Sequence, residues 1–309
     1  MYNLTMPTTL SRFIPIVFVL LWSTGFIMAR FGMETAEPAS FLSIRFALAA
    51  IALLIITLVF PSLRTMQPKW KQVGHAAVAG ILLQAVYLGG VFAGVNQGIG
   101  AGLSSLIVGI QPVLTVLLAA VWLSEKLTWE KITGIALGFL GVALVTAEWG
   151  HVDGAISLNG IGFCIAALIG ITLGTLYQKR FCQTLDLHIN MMSQYVASTL
   201  FLLPFALTWE SYSIDWTPKL LAVLVWLVFV LSIGAVFLLM WLIKVGEAGR
   251  VSTLFFLVPP VVAIEAWILF DEPLTWKVIA GTLLCIVGVA IVSGALTKLK
   301  TSVKEKKIL

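Results

Sequence analysis

Residues 101–145 of this chain occur twice. The second copy is residues 248–292, displaced by a constant 147 positions with no gap, and 16 of the 45 aligned positions are identical. The identities include Gly102/Gly249, Pro112/Pro259, Glu125/Glu272, the run Leu-Thr-Trp at 127–129 and 274–276, Gly134/Gly281 and Gly141/Gly288. Apolar composition alone scatters matches among Leu, Val and Ile. Matched Pro, Glu, Thr-Trp and Gly at one offset require a shared structural unit, so the chain is read as two halves before anything else.

Composition decides which solvent the halves fold in. Of 309 residues, 60% are hydrophobic and 11% charged, with mean hydropathy +1.05. Soluble domains carry about 25% charged residues. A bilayer is therefore the expected solvent, and apolar runs of about 20 residues are the signature of helices that cross it. Ten such runs occur, with cores at 13–31, 38–60, 74–95, 101–122, 129–147, 158–178, 189–208, 219–243, 249–269 and 276–295. The expected fold class is all-α integral membrane: ten transmembrane helices as two inverted five-helix repeats. The first repeat takes residues 1–147, a linker 148–157, the second repeat 158–295 and a basic cytoplasmic tail 296–309. The first run ends in Met28-Ala29-Arg30 with no small-x-small cleavage site, so it is expected to be retained as a span.

Several function classes drop out. The net charge of +5 comes from basic residues in short loops and the tail, so no nucleic-acid partner is expected. Cys164, Cys182 and Cys285 lie far apart and read as small apolar fillers. With three histidines and no His/Cys or His/Glu cluster, no metal is expected and no cofactor. No Gly-x4-Gly-Lys-Ser/Thr loop supports ATP-driven pumping by this chain. No in-span His accompanies a Ser or Asp, so an enzyme is not expected.

Charge sets the orientation. With the N-terminus inside, fifteen Lys/Arg fall on inner segments and three (Arg30, Lys219, Lys277) on outer ones, and Arg45 lies within a span. Both termini are therefore expected in the cytoplasm. Five spans is an odd number, so the turn Ser124–Trp129 lies inside and its twin Asp271–Trp276 outside. Halves inverted in this way suit alternating access around a site near the midplane.

These residues also resemble a known family. Pro in mid-span, Glu-x-Leu-Thr-Trp in the following turn and Gly-x6-Gly-Val-Ala in the last helix look like the EamA repeat of the drug/metabolite transporter superfamily. Arg45-Phe46 and Trp22-Ser23-Thr24-Gly25-Phe26 fit the same pattern. The resemblance covers nearly the whole chain. It implies a ten-helix carrier of the cell inner membrane, usually an exporter of amino acids or other small metabolites, without fixing the solute. Two other classes stay open. One is lipid-linked or nucleotide-sugar cargo, whose phosphates need two or more central Lys/Arg where only Arg45 is available. The other is a structural or sensory membrane protein. A monomer and a homodimer both fit.

Rise per residue converts position to depth. Trp22, Ser23 and Thr24 lie roughly 15 Å from the inner end of the first span, with Gln84 and Tyr87 at similar depth on the third. Gln111 lies roughly 15 Å from the outer end of the fourth, and Thr172 and Ser232 fall near mid-depth in the sixth and eighth. Together with Phe255 and Phe256 these are the candidate lining of a central solute cavity. Helix–helix hydrogen bonding by the same Gln, Ser and Thr is the plainer reading. Pro112 and Pro259-Pro260 read either as packing kinks or as hinges with freed carbonyls. Arg45 and Glu265 are the two in-span charges, at a common level. Three readings stand: a structural pair, contact with charged groups of the solute, or proton coupling through Glu265. Glu125 and Glu272 read as caps of the helices they precede. The Gly-rich last helices of the halves read as packing surfaces rather than site lining.

Overall fold

The structure, a computed structural model, describes residues 8–60, 69–99, 101–146, 157–211, 214–246, 251–270 and 275–292. It is built of helices: α1 (Thr8–Gly32), α2 (Pro38–Val59), α3 (Trp70–Asn96), α4 (Ala101–Gly109), α5 (Gln111–Trp122), α6 (Trp129–Thr146), α7 (Leu158–Phe181), α8 (Leu187–Thr208) and α9 (Pro218–Val245). A short 3-10 turn, Thr253–Leu257, leads into α10 (Val258–Phe270), and α11 (Trp276–Val292) follows. Among the described residues no strand forms. One isolated bridge, Ala36 to Ile214, ties the loop after α1 to the one before α9.

Six of these helices (α1, α2, α3, α7, α8 and α9) are long and apolar enough to cross a bilayer, and shorter apolar helices follow at Ile107–Trp122, Thr253–Leu269 and Ile279–Val292. Their outer faces are as apolar as their cores: Leu54, Ile55 and Leu58 of α2 are about half exposed. Hydrocarbon is the solvent that tolerates such a surface. The chain is a multi-pass membrane protein. Trp122, Trp129, Trp209, Trp216 and Trp276 are exposed at or beside helix ends, as interface anchors are. Trp149 and Glu272 lie outside the described residues.

With lipid on the outside, helices are drawn together by close packing rather than by the hydrophobic effect, and glycine permits the approach. α6 and α11 show this best. A Cβ at Gly134 would stand 2.4 Å from Val292 Cγ2 and 2.6 Å from the Gly288 carbonyl. One at Gly141 would stand 2.5 Å from the Gly281 carbonyl, and one at Gly288 2.5 Å from that of Gly134. As residue number rises on α6 it falls on α11, so the two helices run antiparallel. Their register exchanges equivalents: Gly134 meets Gly288, and Gly141 meets Gly281. Gly138 and Cys285, equivalent to each other, meet at the centre, where the Cys285 thiol donates to the Gly138 carbonyl at 3.5 Å. α3 approaches α7 in the same manner, through Gly90 against the Phe163 carbonyl and Gly94 against Cys164. All three cysteines are free and buried.

The remaining elements recur at nearly the same spacing. α1 and α7 begin at 8 and 158, α2 and α8 at 38 and 187, α3 and α9 at 70 and 218, and α6 and α11 at 129 and 276. α3 and α9 each contain a π-helical stretch, Ile81–Val86 and Trp226–Ala235. Such stretches interrupt the regular hydrogen-bond ladder and are frequent at functional sites.

The apolar run 101–122 breaks at Ile110, and the run 249–269 passes through the 3-10 turn at 253–257. Pro112 is therefore the second residue of α5, and Pro259 and Pro260 stand in the first turn of α10. First-turn N–H groups have no intrahelical partner, so proline costs little there. The prolines start helices at the breaks rather than kinking continuous ones.

Two carboxylates brace the ends. Glu125 meets Lys131 in the first turn of α6 at 3.7 Å. Glu210, just past α8, accepts from the Ala39 and Ser40 backbone N–H groups and from Ser40 Oγ, each at 2.7 Å, so it caps α2 from a neighbouring helix. Glu210→Ala is expected to destabilise the protein by about 1–2 kcal/mol, the size of a lost N-cap. Thermal unfolding of the purified protein in detergent checks it, and an unchanged midpoint would show that the cap is idle.

A candidate solute site around Arg45

Arg45 enters from α2, is 2% exposed and donates from Nε to Ser232 Oγ at 3.0 Å. Ser232 lies in the π stretch of α9, and its backbone carbonyl accepts the Tyr195 hydroxyl of α8. Tyr195 in turn stacks on Phe46, with centroids 5.7 Å apart. Among the described residues no acid pairs with Arg45. Its guanidinium borders a small cavity together with Trp22, Gly25, Phe26, Tyr87, Phe92 and Leu231. The cavity holds about 20 Å³, room for one water.

Aromatics line the cavity. Trp22 Nε1 donates to the Tyr87 hydroxyl at 3.3 Å, with the two rings parallel and 6.4 Å apart. Phe18 and Phe255 pack on Trp22 at 5.1 and 5.5 Å. The four rings come from α1, α3 and the 3-10 turn, so they join segments from both ends of the chain. A cation over the Phe46 ring, bordering a cavity lined by aromatic side chains, is suited to a small anion that carries an apolar group.

The second in-span charge sits elsewhere. Glu265 of α10 meets Ser23 of α1, with Oε1 at 2.7 Å from Ser23 Oγ. Among the described residues no ion pair joins it to Arg45; each charge has its own hydroxyl partner. Gln111 bridges α5 to the segment before α10: its Nε2 donates to Thr115 Oγ1 at 2.8 Å and to Ser252 Oγ at 3.1 Å, and its buried Oε1 has no partner among the described residues. Gln84 is buried in the π stretch of α3, three residues before Tyr87.

Of the expected lining residues Trp22 and Tyr87 border the cavity, and Ser232 reaches it only through Arg45; Gln84 and Gln111 are not part of its lining, and Thr24, Thr172 and Phe256 stand apart from it. Thr24 accepts from Trp226 Nε1 at 3.0 Å on the exposed side of α1 and α9. Thr172 donates to the Leu168 carbonyl of its own helix. Phe256 turns the other way from Phe255. Its ring lies against Gly138 in a small core with Val116, Ile135, Cys285 and Val289.

The sequence matches the EamA-like transporter family over residues 13–147 and again over 158–294. The chain belongs to the EamA-like transporter family. Relatives of this EamA-like transporter match it almost end to end. It is 29% identical over 292 residues to the uncharacterized transporter YvbV of Bacillus subtilis (strain 168), covering 93% of each chain. It is 28% identical over 291 residues to a probable amino-acid metabolite efflux pump of Salmonella typhimurium (strain LT2), covering 90% of this chain and 93% of that one. A crystal structure of a protein 17% identical in sequence superposes with a TM-score of 0.74, covering 93% of this chain and 97% of the other, and so shares its fold.

The structure also holds features of this EamA-like transporter that sequence reasoning missed. Gln194 Nε2 donates to Gln178 Oε1 at 3.1 Å and to Asn190 Oδ1 at 3.0 Å in a fully buried amide cluster between α7 and α8. The i, i+4 spacing of Asn190 and Gln194 was the available signal. A larger cavity of about 510 Å³ opens between α3, α7 and α8, with Ala85, Gly89 and Ala93 on one wall and Phe201 and Phe205 on another.

Proposed function

We propose that this transporter exports amino acids or similar small metabolites across the cell inner membrane by alternating access, with Arg45 holding the solute's carboxylate. The observation that carries this reading is a buried guanidinium with no described acid partner, set in an aromatic cavity. A carboxylate arriving there supplies the counter-charge that the site lacks and accepts charge-assisted hydrogen bonds. The rings of Trp22 and Tyr87 suit an apolar or aromatic side chain. The small volume of the cavity fits a solute-free stage of the cycle, with solute entering once the aromatic wall moves. The name of the Salmonella relative is consistent with this solute class.

Proteoliposomes preloaded with a labelled amino-acid mixture test it. Release of a subset is expected, with competition by free amino acids and not by their amides. Equal competition by the amides would remove Arg45 as the carboxylate anchor. No release of any amino acid would sink the solute class.

The scaffold we propose is ten crossings in two inverted halves, with both termini cytoplasmic. The antiparallel, equivalent-exchanging contact of α6 with α11 supports it, as do the recurring helix starts and the paired π stretches. An axis that exchanges antiparallel helices lies in the membrane plane. A cysteine replacing Lys126, before α6, is expected to react with an impermeant thiol reagent only from the cytoplasmic side. One replacing Lys277, in the first turn of α11, is expected to react only from outside. Labelling of both from one side would refute the inversion.

A further inference from the structure

Ser23 has two acceptors and one proton. Its Oγ lies 2.9 Å from the Leu20 carbonyl, one turn back on α1, and 2.7 Å from Glu265 Oε1 on α10. Facing an ionised carboxylate, the Ser23 hydroxyl can donate to only one of these two acceptors at a time, whereas a protonated carboxyl that donates to Oγ lets both contacts be hydrogen bonds. The other carboxyl oxygen, Oε2, is buried and has no hydrogen-bond partner among the described residues. An ionised Glu265 would leave that oxygen charged, desolvated and unpaired, which is strongly unfavourable. A neutral acid leaves only a carbonyl oxygen there.

Among the described residues, the elements packed on α10 bring no cation to this carboxyl. α10 packs against α1, α4, the 253–257 turn, α6 and α11. On α1 the described charge is Arg30, exposed and seven residues beyond Ser23, about 10 Å along the helix. α4 and the turn carry no charged residue. On α6, Glu130 is exposed and Lys131 is paired with Glu125. On α11, Lys277 stands in the first turn, and Cys285 faces Gly138. Arg45, on α2, gives its Nε to Ser232.

We propose that Glu265 and Ser23 form a proton-binding site and that the carrier exchanges this proton for its solute, which rests on the transporter reading above. The proton binds from water on one side of the membrane and is released to water on the other after the halves rearrange. No other bond forms or breaks. The first copy has Leu118 where the second has Glu265, so the pair moves one proton per cycle.

Infrared difference spectroscopy of the protein in lipid, titrated in H₂O and D₂O, reads the carboxyl directly. A deuterium-sensitive carboxylic-acid C=O band is expected in wild type and absent from Glu265→Gln. Ser23→Ala is expected to move the pH at which the band is lost, which a carboxyl without this partner would not show. In proteoliposomes, the ratio of solute flux with and without an imposed pH gradient is expected to be several-fold for wild type. It is expected to fall to one in Glu265→Gln, whatever that variant's absolute rate. A band that survives in Glu265→Gln, or an undiminished gradient ratio, overturns the proposal. If no amino acid moves in any arm, the proposed solute class fails and its exchange for a proton fails with it. The band then still reports whether Glu265 holds the proton.

Discussion

Gly141→Leu is expected to abolish the folded protein, and Gly141→Ala alone to lower its stability by about 1–3 kcal/mol, the usual cost of overpacking. The Cβ that alanine adds at this position would stand 2.5 Å from the Gly281 backbone carbonyl and 2.6 Å from Cys285 Sγ. No rotamer change relieves a clash with backbone, so α6 and α11 must separate along their contact. In lipid that contact has no hydrophobic compensation. Gly288→Ala on the facing helix is expected to behave alike, since its Cβ would stand 2.5 Å from the Gly134 carbonyl. Gly162→Ala on α7 has the opposite expected sign. Nothing lies within 4 Å of the added methyl there. Removing glycine from a helix interior gains about 0.5–1 kcal/mol. Thermal unfolding of the three alanine variants in detergent decides the matter, and equal midpoints for Gly141→Ala and Gly162→Ala would refute the packing.

The same glycines explain why the repeat was legible where it was. The matched glycines at the end of the repeat, Gly134/Gly281 and Gly141/Gly288, sit where α6 and α11 touch backbone to backbone and few side chains fit. The first three helices of each half match each other only weakly in sequence. Their starts recur, yet their residues diverged. The charges within spans were legible for a similar reason: Arg45 and Glu265 stand out against an apolar run. Their partners were not, because position along a helix gives depth and not direction around the axis. One residue turns a helix by about 100°. Ser23 therefore reaches Glu265, while Thr24, the next residue, faces Trp226. Phe255 and Phe256 diverge in the same manner, one toward Trp22 and one onto Gly138. The π stretches were not legible at all, since π and α turns use the same apolar residues.

Arg45 should show the largest functional effect. Arg45→Gln is expected to reduce export of carboxylate-bearing solutes about 10- to 100-fold, the equivalent of a charge-assisted hydrogen bond worth about 1.5–3 kcal/mol. Arg45→Lys keeps the charge and is still expected to lose at least about tenfold. Its ammonium lacks the planar fork that can hold Ser232 through Nε while offering two further N–H groups to a carboxylate. Stability should move the other way. In this state Arg45 is 2% exposed, without a described acid to repay its desolvation. Removing that charge in Arg45→Gln should leave the thermal midpoint equal or higher, even as transport falls. A purely structural arginine predicts the reverse, with stability falling first and export only in proportion to the folded protein left. Flux and unfolding measured on one preparation separate the two. A variant that is less stable but exports at the wild-type rate per folded molecule would move the solute site away from Arg45. A more stable variant that no longer exports would mark Arg45 as a site held at a cost to stability for its function.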